Sequence, residues 1–253
     1  GPRPASAPPL VQLALRAVAA AGALVALLTA LTPQIGYDAL VYYYAAPLKA
    51  LRVHRYVTAS LLPVDGFVHG FDLLFVPALL AGGEATAKLL TWAELGLAGL
   101  AVARWTRPAW GAAPSALFWS LPFMGWLPHY APSDGAVIHA AVVGMWLWRD
   151  GRGRWAAALA GWTLSVKYTA AIAAFPLAAA GMLAARRRAL AAGLTAAFVA
   201  PWLVRNWLGH GAPLTPLLGS VMPDFEADRW LRPFGDLSYT LRGDAPPGGP
   251  AAG

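Results

Sequence analysis

The sequence predicts an all-α polytopic membrane protein, and three observations predict it. Hydrophobic residues fill 58% of the 253 positions and charged residues only 12%, with a mean hydropathy of +0.52. A soluble domain carries roughly twice that charged fraction, and a soluble core of this length has no room for so much apolar surface. Apolar runs of helical length recur along the chain, and arginines gather in the short connections between them, the placement that orients helices in a bilayer. The net charge of +7 is therefore read as membrane orientation rather than as a nucleic-acid footprint. The chain has no cysteine, which excludes disulfides, thiolate metal sites and cysteine nucleophiles and leaves the compartment undecided.

Taken in order, a Pro/Ala-rich opening leads into Leu10 to Leu31, about 20 apolar residues and enough for one span. This run is too long for a signal-peptide core and is expected to stay as an anchor. Pro33 ends it. Residues 33–84 are expected to form an outer loop of short amphipathic helices, because they mix Lys49, Arg52, His54, Arg55, Asp65, His69 and Asp72 with punctuating prolines. Gly82-Gly83 reads as a turn before the second span, 85–105. Further spans are expected at 110–130, 135–148, 155–167, 169–185 and 189–208, the fourth short enough to need tilt or local thinning. The stretch from Trp155 to Ala185 admits one over-long helix or two short ones meeting near Lys167. Two short ones place Arg3, Arg16, Arg104, Arg107, Arg149, Arg152, Arg154 and Arg186 to Arg188 on one side, the cytoplasmic one. A transmembrane domain is thus expected over 1–218, followed by a polar, partly disordered outer tail over 219–253.

This topology brings Asp38, Asp72, His129, Asp134, Lys167, Arg205 and Asn206 to the outer face. Asp38 stands among Tyr37, Tyr42, Tyr43 and Tyr44, which reads either as a lined cleft or as an interfacial aromatic belt around a solvated acid. Two carboxylates with cations from two other helix ends suit a phosphate-bearing lipid and a hydroxyl nucleophile, the acid taking the proton and Lys or Arg holding the phosphate. Each residue also has a plainer reading. Asp134 in Pro132-Ser133-Asp134 fits a helix cap, Lys167 a snorkelling side chain, and Arg205 an interfacial anchor. Glu94 and His139 lie inside spans, where packing against a polar neighbour is the expected role. His69 and His129 lack tight metal-ligand spacing. There is no Walker loop, dinucleotide fingerprint, HExxH or GxSxG.

The segments GYDALVYYYAAPLKAL, FDLLFVPALLAGGEATAKLL, SVKYT and PWLVRNWLGHGAPLTP, in that order, resemble the bacterial ArnT-like and protein-mannosyltransferase-like glycosyltransferases, family 39-type enzymes of the GT-C fold. The resemblance covers roughly Leu10 to Pro216. It implies a GT-C-like helix bundle in a bacterial inner membrane with its active face outward toward the cell envelope. It also implies a polyprenyl-phosphate-linked sugar as donor and a lipid, glycan or protein acceptor. Asp38 matches the family's catalytic base, and Asp134 its second acid, which is sometimes associated with a divalent metal. Asp72 falls where relatives often carry Glu. The resemblance implies Tyr37, Tyr43 and Asp72 as substrate-binding residues, and Lys167, Arg205 and Asn206 match polar positions that meet the carrier phosphate. Relatives often carry His after the first Tyr of that segment, where this chain reads Tyr42-Tyr43-Tyr44. Relatives are also about twice as long, so the resemblance reads this chain as an N-terminal portion. A transporter and a non-catalytic membrane scaffold are the alternatives. A transporter is expected to show polar breaks at mid-bilayer in repeated halves, which this sequence does not.

The absence of native cysteine makes the topology directly testable. Single cysteines placed beside Arg107, Arg152 and Arg187 are expected to label only from the cytoplasmic side of intact cells, and those beside Asp38, Asp72 and Lys167 only from outside. Outer-face labelling at position 187 would sink the two-helix reading.

Overall fold

The computed structural model describes residues 8–33, 43–54, 68–130, 133–210 and 213–214, and among these the chain is all-helical, without a strand. It divides into two units, Gly1–Tyr56 with Val68–Val199, and Val57–Phe67 with Ala200–Gly253. Among the described residues, three helices are long and apolar enough to cross a membrane, over Pro9–Ala30, Asp72–Thr106 and Arg188–Gly209.

Helix α1 (Pro9–Ala30) opens with a proline in its first turn, where the missing N–H costs nothing. A short helix, α2 (Ala45–Val53), follows. After a one-turn 3-10 helix, Asp72–Leu74, the long α3 (Phe75–Trp110) begins. Residues 75–81, expected in the outer loop, are thus helical. Gly82-Gly83 is a kink inside α3 rather than a turn before it, with Gly83 at φ 68, ψ −153, a backbone region essentially reserved for glycine. Helices α4 (Ala113–Ser120) and α5 (Pro122–Tyr130) together fill the place expected for one span. They part at Leu121, which the following proline pushes to an extended ψ of 122.

The next three helices are short: α6 (Asp134–Arg149), α7 (Gly153–Val166) and α8 (Ala171–Ala184). At 1.5 Å per residue they run about 21–24 Å, less than the hydrocarbon thickness of roughly 30 Å. Lys167 separates α7 from α8 by adopting an extended backbone, φ −157 and ψ 125. The last helix, α9 (Arg188–His210), continues from the first unit into the second.

Side chains in the first unit register the helices end to end. Gln12 Oε1 accepts the Ala112 N–H at 2.8 Å, and Thr32 bonds His129 Nδ1 at 2.8 Å, so α1 runs parallel to α4 and α5. The Arg149 guanidinium lies 5.8 Å from the Trp105 ring, joining the C-terminal ends of α6 and α3. Thr195 Oγ1 donates to the Ala157 carbonyl at 2.8 Å, and Trp162 meets Phe198 edge-on at 5.8 Å, so α7 and the first part of α9 run parallel. One end of this unit therefore gathers the starts of α3 and α6 with the ends of α1, α5 and α7. The opposite end gathers the arginine-rich connections.

The loop ahead of α3 is seated by a backbone contact. Gly70 N–H donates to the Ser165 carbonyl at 2.8 Å, and a Cβ at Gly70 would lie 2.6 Å from that oxygen. Gly70→Ala is expected to destabilise the protein by about 2 kcal/mol through this overlap. Gly96→Ala, whose Cβ meets nothing within 4 Å, is expected to be neutral or to stabilise by up to about 1 kcal/mol. Thermal unfolding of both variants in one detergent checks the contrast.

Candidate functional site

The site is built where three helix ends meet. Phe71 and Phe75 are fully buried, stack edge-on at 5.2 Å, and anchor the turn that carries Asp72. Tyr44 meets Phe75 at 5.6 Å, and Tyr43, Val166 and Ala136 complete the same apolar cluster. Tyr43, read from sequence as a substrate contact, is a core residue here, only 5% exposed.

Above this floor, Asp72 and His69 form a buried pair, with His69 Nδ1 2.8 Å from Asp72 Oδ2. The i, i+3 spacing through a single 3-10 turn brings the two side chains onto one face. Asp72 is 3% exposed, and its Oδ1 has no hydrogen-bond partner among the described residues. An orphaned carboxylate oxygen in such a position is costly, so it marks a place where a donor group belongs.

Asp134 is the first residue of α6, placed there by the buried Ser133 at the cap position. Among the described residues no side chain caps this helix, so Asp134 contributes its charge to the N-terminal turn rather than a cap hydrogen bond. Its Oδ1 accepts from Lys167 Nζ at 2.8 Å. The two side chains are about one-third exposed, 32% and 35%, so this pair opens to solvent where the His69–Asp72 pair does not. Lys167 thus ties the end of α7 to the start of α6, from an extended backbone that leaves the α7 register.

The described surroundings of Asp134 do not fit a divalent ion. Lys167 holds Asp134 Oδ1, and no group of three His, Cys, Asp or Glu converges among the described residues. His129 turns instead to the Thr32 hydroxyl. Arg205 and Asn206 belong to the second unit. There Arg205 Nη1 donates to Asn206 Oδ1 at 3.0 Å, the guanidinium lies 5.8 Å from the Trp202 ring, and Asn206 is fully buried. Asp38 and Tyr37 lie outside the described residues.

Two further polar contacts lie in the bundle. Lys88, 1% exposed, pairs with Glu84 at 3.1 Å and donates to the Thr32 carbonyl, closing the end of α1. Its i, i+4 spacing from Glu84 was visible, but it reads as an ordinary surface pair. Glu94 and His139 find each other across α3 and α6, each supplying the polar neighbour the other needs inside the bundle.

No protein-family model, curated protein or solved structure matches this chain.

The Lys167–Asp134 pair gives a quantitative expectation. Lys167→Met strands the Asp134 carboxylate, whereas adding Asp134→Asn removes that charge. The double variant is therefore expected to be less destabilised than the two single losses sum to, with a coupling of about 1 kcal/mol for a partly exposed pair. A double-mutant cycle by thermal unfolding measures it, and additive losses contradict the pairing.

Proposed function

We propose that this protein is a membrane glycosyltransferase that moves a sugar from a polyprenyl-phosphate donor to an acceptor hydroxyl at the outer face of a bacterial inner membrane. The observation that carries the reading is Lys167, a partly exposed cation bonded to Asp134 at one end of an apolar helix bundle. An ammonium held by a carboxylate is a ready site for a phosphate, because one anion replaces another without stranding the charge. The opposite, arginine-rich end faces the cytoplasm in this reading.

The chemistry follows from the acids. Asp38, carried over from the family resemblance, accepts the proton of the acceptor hydroxyl as its oxygen attacks the anomeric carbon. The new C–O bond forms as the bond to the lipid phosphate breaks, the electron pair leaves with the phosphate, and attack from the opposite face inverts the anomeric centre. Lys167 meets the charge that develops on the leaving phosphate, and Asp134 holds Lys167 in place before the donor arrives. Tyr37, Arg205 and Asn206 are assigned to donor binding by the same resemblance. A transporter is the second reading, favoured by the Glu94–His139 pair in the bundle interior.

Separate measurements of turnover and donor binding, on the full-length protein in proteoliposomes, test the assignment. Asp38→Asn is expected to lower transfer by about 10² to 10⁴ with donor binding retained, because the amide keeps the shape and cannot take the proton. Lys167→Ala is expected to weaken donor binding first. Near-normal turnover in Asp38→Asn refutes the base. A wild-type protein that transfers no sugar, yet moves a solute in a manner abolished by Glu94→Gln, establishes the transporter.

A further inference from the structure

At the end of the first unit remote from Asp134, two connections far apart in sequence close around a cleft of about 650 Å³. Its lining includes Arg152, Arg154 and Trp155 from the α6–α7 connection and Arg186 and Arg187 from the α8–α9 connection. Among the described residues, four guanidinium groups and no carboxylate line it. The nearby acid Asp150 pairs with Arg152 at 3.3 Å, and both are exposed. Arginines scattered along a membrane surface need no such cavity to orient helices. Here the two sets converge because their backbones are held together: a Cβ at Gly153 would come within 2.9 Å of the Ala185 nitrogen. The α6–α7 turn is equally defined, with Gly151 at φ 75 and Arg152 N–H bonded to the Leu147 carbonyl at 2.8 Å. The separation of the two arginine pairs is therefore set by the fold.

We infer that this cleft binds the headgroup of an anionic phospholipid of the inner leaflet. Guanidinium groups match a phosphodiester by paired N–H donors. The apolar and aromatic side chains beside it suit a lipid rather than a soluble anion. Trp155 and Trp148 are both about half exposed beside the cleft, and Leu183, 71% exposed, lies on α8 just before it. Interfacial tryptophans with bare leucines beyond them mark the headgroup level, where acyl chains continue along the helices. The Arg154 guanidinium rests 5.3 Å from the Trp155 ring, which orients it at that level. The inference stands independently of the glycosyltransferase reading, since it uses none of the same residues.

The test is lipid binding by the delipidated full chain, followed by native mass spectrometry or fluorescence titration, with phosphatidylglycerol, phosphatidylcholine and inorganic phosphate as probes. Wild-type protein is expected to prefer phosphatidylglycerol over phosphatidylcholine at least tenfold. Arg186→Gln/Arg187→Gln and Arg152→Gln/Arg154→Gln are each expected to lose about fivefold per arginine, roughly 25-fold per pair, with phosphatidylcholine binding unchanged. Arg186→Lys/Arg187→Lys, which keeps the charge, is expected to retain most of the preference and controls for folding. Arg104→Gln, which removes an arginine that does not line the cleft, is expected to leave it intact. The inference is overturned if the glutamine pairs bind phosphatidylglycerol as wild type does. It is equally overturned if Arg104→Gln weakens binding as much as a cleft arginine, or if inorganic phosphate competes as well as the lipid.

Discussion

The structure of the first unit rests on the direct approach of the α7 and α8 backbones. In a bilayer, lipid tails satisfy apolar side chains as well as a neighbouring helix does, so helices associate by close packing rather than by escape from water. Small residues make that possible. A Cβ at Gly181 would come within 2.7 Å of the Ala157 nitrogen, and one at Gly161 within 2.8 Å of the Thr195 Cα. Ala156, Ala160, Ala174 and Ala178 fill the rest of the α7–α8 seam around Leu177. Any larger residue at these glycines would force the backbones apart. Both ends of the unit inherit this spacing: α7 delivers Lys167 to one end and Gly153 to the other.

At the polar end, the same packing makes charge tolerable in an apolar protein. Isolated acids in a helix bundle are expensive, and each described acid at this end is matched to a partner on another turn or helix. His69 takes one oxygen of Asp72, and Lys167 takes one oxygen of Asp134. Such pairing alone is weak evidence for catalysis, because structural ion pairs look the same. What distinguishes this cluster is its incompleteness. The open Asp134–Lys167 pair and the orphaned Asp72 oxygen leave capacity for another polar group, whereas Lys88, with Glu84 and the Thr32 carbonyl, is closed on itself.

The two ends also differ in kind. The end with Asp72 and Asp134 balances acids against a cation. The opposite end concentrates arginines with few acids, which is why it both orients the helices and forms a cleft suited to a phosphodiester.

The sequence by itself determined the helical, membrane-compatible class, because composition and run length leave an apolar chain no other way to satisfy its backbone in lipid. It also placed Asp72, Asp134 and Lys167 toward one face, with a cap and a snorkelling side chain as the plainer readings of Asp134 and Lys167. Charge placement favoured two helices over one across 155–185, and in the folded chain the extended backbone of Lys167 separates α7 from α8. Gly82-Gly83, read from sequence as a turn before the second span, is a kink inside α3, because a glycine pair serves a turn or a bend inside a helix equally well. Partner choice belonged to tertiary structure throughout. Lys167 with Asp134, Glu94 with His139 and Lys88 with the Thr32 carbonyl join residues 33, 45 and 56 positions apart. No local periodicity encodes such separations; they arise only when small residues let the helices close to contact distance.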